Sequence, residues 1–411
     1  MLFIKRFFIP LFALLIGVAA FAQEEYNPEI GYFQKAHRDD GDPRYMITDG
    51  SGFSLGIGGR VLASSYFDFD GALDGYCFSP SSIAVPTDHT NNFGYTITGS
   101  SVYVKARAEN SKHKLIAYLE LGGVESGKTD MVLLSKAYVS VNGLSIGKTY
   151  SFFMDLAAGP MTVDLQGPNT QIAKTHNLIG YQKRLGNFTL GLSLEDPTTI
   201  NYKDDDINAD YNRIPDGVLF AKYRGEKGHV QVGFLGRELN YWVSKTGFAV
   251  AADGLTKRAK GFGVSLSGNF NPSKKLSFSA SSVFGKGIGG YIQDLDGTYA
   301  SLGKCKQYDD DGYPVLKPIT AYGGYLSASY KWSDKSQSSV VYGLCMMDKG
   351  DLITATDFLS SQYAAINYVY FISAHCFAGV EYLYGRKNIT TTASDSYGYA
   401  NRFAASLCYR F

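Results

Sequence analysis

Two glycine-rich stretches have the residue types of nucleotide-binding loops, and each of them would need a helix behind it. Residues 122–129 read GGVESGKT and match the phosphate-binding pattern G-x-x-x-x-G-K-[ST]. Phosphate binding needs a helix N-terminus after the lysine, because the free amides there hold the anion. Residues 131–141 alternate like a strand instead, and GKGIGG at 285–290 has no βαβ unit around it. We interpret both stretches as loops, with phosphate binding at 122–129 as the alternative.

Acidic runs and histidines are the other residues that could do chemistry. The runs 204–206 and 309–311 could bind calcium or the cations that bridge lipopolysaccharide, although solvated loop charge is the favoured interpretation. The six histidines lack metal-binding spacing, so we predict no metal site and no cofactor. A hydrolase that assembles a serine and a histidine across strands stays an alternative. Since no sequence feature supports it, we predict that the chain is not an enzyme.

A third set of charged residues occupies every second position of segments that are otherwise apolar. In the run 102–107, for example, the apolar Val102 and Val104 alternate with Tyr103, Lys105 and Arg107. This pattern is typical of a strand between lipid and water, where a lysine on the lipid face costs about 2–4 kcal/mol. The same argument predicts that two acidic residues, Glu120 and Glu195, and a larger number of basic residues face inward. The basic residues are Arg60, Lys105, Arg107, Lys136, Arg184, Lys222 and Arg237. A lining of one sign concentrates anions, and a lining that only keeps a pore wet is an equal alternative.

Sixteen strand-like segments must position these residues. They are 52–67, 95–108, 112–121, 131–141, 144–150, 177–185, 187–195, 216–225, 229–243, 261–270, 276–286, 320–332, 337–347, 361–372, 374–385 and 400–411. Short turns alternate with long polar loops along the chain, which is the asymmetry of outer-membrane barrels. A sheet in lipid must close, because open edges would leave amides unpaired. We predict an all-β fold, a transmembrane antiparallel β-barrel of sixteen strands that is too wide for side chains to fill.

The loop at about 151–176 is unusually apolar and is our candidate for a constriction. Folding inward against the barrel wall would bury Phe152, Phe153, Met154 and Leu156. Asp155 and Asp164 would then lie near the pore, opposite the basic lining, and create a transverse field. Packing of this loop on a neighbouring subunit is the alternative.

Composition and the N-terminus agree with an exported barrel. The chain has 31 Tyr and 26 Phe but 2 Trp, and its 39 basic residues nearly balance 38 acidic ones. The balance argues against a nucleic-acid partner. Residues 1–22 contain Lys5 and Arg6, an apolar run and an A-x-A-like cleavage site, which predicts a signal peptide. We therefore expect a periplasmic arm at 23–51 and the barrel at 52–411.

Four runs of sequence resemble known proteins. They are PRYMI at 43–47, FSLGIGG at 53–59, GKTYSFFMD at 147–155 and DLQGPN at 164–169. In them the chain is similar to the DcaP-like and phosphate-selective (O/P-type) porins of Gram-negative bacteria. The resemblance implies a homotrimeric channel among outer-membrane lipid and lipopolysaccharide, for small, often anionic solutes. We predict a passive diffusion porin with mild anion preference, and a structural or adhesive barrel with a blocked lumen is the main alternative.

Overall fold

A computed structural model describes most of the 411 residues. The described residues are 45–48, 52–71, 73, 75–110, 113–126, 129–197, 207–210, 212–244, 254–390 and 395–411. The predicted signal peptide at 1–22 lies outside them, as does the predicted arm at 23–51 apart from 45–48. These two assignments stay predictions.

The described residues form antiparallel strands joined by turns and loops. The strands are β1 (Tyr45–Thr48), β2 (Phe53–Asp70), β3 (Asn92–Thr96), β4 (Ser101–Glu109), β5 (Lys114–Ser126), β6 (Thr129–Val141), β7 (Leu144–Tyr150), β8 (Thr175–Leu185), β9 (Phe188–Glu195), β10 (Ile207–Ala209), β11 (Asp216–Gly225), β12 (Gly228–Val243), β13 (Leu255–Phe270), β14 (Leu276–Lys286), β15 (Leu302–Lys304), β16 (Leu316–Pro318), β17 (Thr320–Ser333), β18 (Ser336–Asp348), β19 (Phe358–Phe371), β20 (Cys376–Thr390) and β21 (Asp395–Arg410). Single 3-10 turns occur at Pro80–Ser82, Leu156–Ala158, Gly289–Tyr291 and Gln293–Leu295. Within the described residues, none of the helical segments has the length and apolar character to cross a membrane.

Sixteen of the described strands close into one barrel, which confirms the predicted fold class. The short strands β1, β3, β10, β15 and β16 are additions at its rims and loops. Each barrel strand pairs with the next along the chain, and β2 pairs with both β4 and β21 to complete the ring. Arg60 lies opposite Arg410, and Gly59 and Phe411 exchange two backbone hydrogen bonds of 3.0 Å. The C-terminal residue therefore lies at the seam where the barrel closes.

The alternation of β21 shows why these sequences form barrel strands. Phe403, Leu407 and Tyr409 are exposed on the outer face, whereas Arg402 and Cys408 are buried on the inner face. Outer residues of the other strands follow the same rule and form an apolar exterior. Such an exterior is stable in hydrocarbon, and closure of the sheet pairs the backbone amides that an open edge would leave unpaired.

The structure differs from the predicted strands at a few places. The segment predicted as one strand at 95–108 is two strands, β3 and β4, separated by a turn at 97–100. Residues 97–100 bend away because Gly99 adopts a φ of +91°, which a side chain rarely tolerates. The loop at 287–319 contains its own hairpin, β15–β16. The phosphate-loop motif at 122–129 leads into strand β6 rather than a helix, so it lacks the element that binds phosphate.

Candidate functional site

The loop between β7 and β8, residues 151–174, runs along the inside of the barrel wall; we call it the inner belt. Wall side chains bind its backbone in the order in which the strands follow one another. The bonds are Phe152 N to Glu195 Oε1 (2.9 Å), Gln231 Nε2 to Met154 O (3.4 Å), Asn269 Nδ2 to Ala157 O (3.2 Å), Tyr325 Oη to Ala158 O (3.1 Å), Asn367 Nδ2 to Met161 O (2.8 Å) and Asp164 N to Glu381 Oε2 (2.6 Å). The belt thus passes from β9 to β20 around one side of the lumen.

Apolar contacts hold the inner belt against this side. Phe153, Met154 and Ile172 pack in one buried cluster with inward residues of the wall and of the loop at 287–319. Met161 and Val163 pack in another cluster with Leu62 and Phe377. Burial of such side chains contributes about 1.5–3 kcal/mol each. The expectation that the apolar residues of this loop fold inward agrees with these contacts, except that Leu156 is exposed.

The belt reverses direction in a turn at 164–167, which we call the belt tip. The Asp164 carboxylate accepts backbone hydrogen bonds from Gln166 (3.2 Å), Gly167 (3.0 Å) and Phe78 (3.3 Å). Tyr363 Oη donates to the same carboxylate at 3.3 Å. Burial raises the pKa of Asp164 to about 6, although the backbone donors partly oppose that rise. Asp164 therefore fixes the turn, and its carboxylate is buried rather than exposed to water.

Asp155 lies at the other end of the belt and is bonded to three wall residues. Its carboxylate accepts from Lys222 Nζ (2.8 Å), His229 Nε2 (2.7 Å) and Ser267 Oγ (2.8 Å). Burial alone would raise the pKa of Asp155, but the charges of His229 and Lys222 outweigh burial and hold that pKa well below its usual range. The carboxylate is thus ionised and buried against the wall.

Four basic residues line the inner face of β2, β4 and β6, and we call them the basic wall: Arg60, Lys105, Arg107 and Lys136. Lys136 Nζ forms an ion pair of 2.9 Å with Glu120 Oε2. The tyrosines between them stack, with ring centroids 5.2 Å apart for Tyr103 and Tyr118 and 5.5 Å for Tyr118 and Tyr138. Because the strands follow one another around the ring, β4–β6 face β13 and β14. The basic wall therefore lies opposite the middle of the inner belt.

The other predicted lining residues occupy different places. Lys222 points inward and reaches Asp155. Arg237 is buried, and its guanidinium lies 3.3 Å from Asp216 Oδ2 and over the ring of Tyr291. Arg184 is exposed at a short turn, where its Nε donates to Gly186 O at 3.0 Å. The structure therefore brings four of the nine candidates into one wall and places the rest at the belt, in a buried ion pair or at the rim.

Buried acidic residues on the inner face were missed by the sequence analysis. They are Asp68, Asp216 and Glu381, each on the inner face of its strand. Asp68 forms a bidentate pair with Arg402, at 2.5 and 2.9 Å. The period-2 pattern that placed the basic residues inward applies equally to these positions and would have found them. Their presence means that the inner face carries acidic as well as basic residues, with the basic wall on one side.

Comparisons with known proteins agree with this architecture. A family described as "Porin subfamily" matches residues 85–306. The outer-membrane channel DcaP of Acinetobacter baumannii shares 19% identity over 89% of this chain and all of its own, with a TM-score of 0.71. OmpT of Vibrio cholerae shares 13% identity over 90% of this chain and all of its own (TM-score 0.57). An anion-selective porin from Comamonas acidovorans shares 13% identity over 87% of this chain and all of its own, with a TM-score of 0.52. Among curated sequences, no match was found.

Proposed function

The chain belongs to the porin subfamily, and on that premise we propose that its basic wall gives the channel a mild preference for small anions. The barrel forms a passive diffusion channel in the outer membrane, so the proposal concerns which solutes pass and which residues select them. Solutes would pass between the inner belt and the basic wall, because the belt fills the opposite side of the lumen with packed side chains.

The observation that carries the proposal is the arrangement of Arg60, Lys105, Arg107 and Lys136 on β2, β4 and β6, opposite the belt. A wall of one predominant sign in a narrow lumen raises the local concentration of ions of opposite charge. On the other side, Asp155 is ionised but bonded to Lys222 and His229, so its negative charge is largely compensated. The net electrostatic field therefore favours anions near the basic wall. Passage of the solute involves no chemical step.

Reversal potentials across planar bilayers in a salt gradient test the proposal. Replacement of Arg107 and Lys136 by glutamine removes two positive charges and leaves Glu120 without its 2.9 Å partner, so the anion/cation permeability ratio should fall. The matched control is Lys335→Gln, a lysine exposed at a short turn. An unchanged reversal potential in the double variant would contradict the role of the basic wall.

The alternatives give different outcomes in the same preparation. A structural or adhesive barrel with a blocked lumen would show no conductance in wild-type protein. A barrel hydrolase would release fatty acid or peptide from lipid or protein substrates, and purified protein can be assayed for this directly. Among the described residues, no cluster of His, Cys, Asp and Glu can hold a metal ion.

We further propose that three copies assemble in the membrane, among outer-membrane lipid and lipopolysaccharide. One of the similar solved structures is described as a trimer form of OmpT, and the large apolar exterior, with Phe93, Tyr95 and Val132 highly exposed, offers surface for such contacts. The mass of the unheated protein in detergent, compared with that of the heated monomer, tests this assembly.

A further inference from the structure

The belt tip lies beside the edge of the basic wall. Leu165 packs against two buried clusters of the wall, one of which contains Leu62. A methyl group added at Gly99 would lie 2.5 Å from Leu165 Cδ1 and 3.1 Å from Leu62 Cδ2. Gly99 O in turn accepts a 2.6 Å hydrogen bond from Arg60 Nε. The position of the tip therefore decides how near the belt comes to the first residue of the basic wall.

Glu381 is the wall residue that binds the backbone of this tip. One carboxylate oxygen accepts the backbone N–H of Asp164 at 2.6 Å, and the other accepts Asn367 Nδ2 at 3.0 Å. Asn367 Nδ2 also donates to Met161 O at 2.8 Å, so the two wall side chains hold the belt at two points. Glu381 is 1% exposed. A buried carboxyl group that accepts hydrogen bonds on both oxygens positions its partners strongly.

We propose that Glu381 is a positioning residue that seats the belt tip and thereby sets the width of the channel beside Arg60. The proposal rests on the proposed channel function and names the residue that regulates its aperture. Glu381 acts through the belt and does not touch the solute.

The chemistry of Glu381 allows an isosteric test. Glutamine has nearly the same shape but only one accepting oxygen, so in Glu381→Gln one of the two donors would face an NH2 group. The tip would then lose a hydrogen-bond acceptor and an unpaired donor would be buried, which favours displacement of the tip. Glu381→Asp keeps both accepting oxygens and should retain part of the seating. Glu238→Gln is the matched control, because Glu238 lies on the outer face of β12.

Two measurements follow the tip and the aperture separately. In a background in which the five native cysteines are replaced, Leu62→Cys with Leu165→Cys should form a disulfide readily on mild oxidation. We expect Glu381→Gln to lower the disulfide yield, Glu381→Asp to restore part of it, and Glu238→Gln to leave it unchanged. In planar bilayers, Glu381→Gln should raise the single-channel conductance and replace its discrete level by a broader distribution.

The outcomes separate this inference from the proposed function. If the Leu62→Cys/Leu165→Cys protein forms the disulfide but wild-type protein conducts no ions, the channel would be overturned and the seating of the tip would be left intact. If wild-type protein conducts, and Glu381→Gln changes neither this conductance nor the disulfide yield of the double-cysteine protein, the positioning role would be overturned. A lower disulfide yield with unchanged conductance would show that the tip does not set the width. If Glu381→Gln fails to fold, Glu381→Asp gives the same comparison in a milder form.

Discussion

Two buried carboxyls at the junction of the lumen loops should make the barrel less stable as the pH rises from 4 to 7.5. Asp164 holds the belt tip, and Asp294, in the loop at 287–319, accepts hydrogen bonds from Ser79 Oγ (3.1 Å) and Ser361 Oγ (2.5 Å). Both are almost fully buried. Burial raises the pKa of each to about 6, from an ordinary value of 3.8.

The sign follows from proton binding. A carboxyl with a folded-state pKa above its unfolded-state value binds more protons in the fold, so its contribution to stability is fully present below pH 3.8 and is lost as the pH rises through 6. The difference between 3.8 and about 6 corresponds to about 3 kcal/mol for each residue. Asp164→Asn removes one of these titrations and should flatten the pH dependence by about that amount.

Urea unfolding in detergent micelles at pH 4 and at pH 7.5 measures the effect. Because other groups titrate in both proteins, the relevant quantity is the difference between wild type and variant in the change of unfolding free energy with pH. Asp334→Asn is the control, since that side chain is fully exposed at a short turn. Equal pH dependence in wild type, Asp164→Asn and Asp294→Asn would refute the reasoning.

Two further predictions concern the wall itself. Arg402→Met should lower the free energy of unfolding by about 3–5 kcal/mol, because it leaves Asp68 buried without its bidentate partner; a loss below about 1 kcal/mol in urea unfolding would contradict this. Val61→Lys places a charge on the outer face, where Val61 is exposed, and should cost about 2–4 kcal/mol in refolding into lipid vesicles. An unchanged vesicle-refolding equilibrium would show that Val61 does not face hydrocarbon.

The sequence allowed the barrel and the faces of its strands to be predicted because the side-chain period of a strand is two. Lys105 and Arg107 point inward for the same reason that Val102 and Val104 point outward, and no distant contact is needed to decide it. The strand break at 97–100 was missed, although Thr98 and Gly99 carry a turn signal.

The places of Asp155 and Asp164 depend on contacts that no local pattern reports. Asp155 meets Ser267, and Asp164 N meets Glu381, which is 217 positions away along the chain. We expected both carboxylates near the pore, because the loop would fold inward and bury its apolar residues against the wall. The wall supplies cations and a hydrogen-bond donor to Asp155 instead, which favour its buried carboxylate, whereas the donors at Asp164 offset its burial only in part. Whether these residues shape the field in the pore stays a prediction.

The course of the inner belt from β9 to β20 has a consequence for the order of assembly. Met161 and Asp164 bind side chains of β19 and β20, so these bonds cannot form until the last strands have joined the sheet. Contacts between residues about 200 positions apart require the largest loop closure and form late. A nascent barrel would therefore have a wide lumen, because the inner belt is not yet bound to the wall. The lumen would narrow only after the ring has closed at the seam of Gly59 and Phe411.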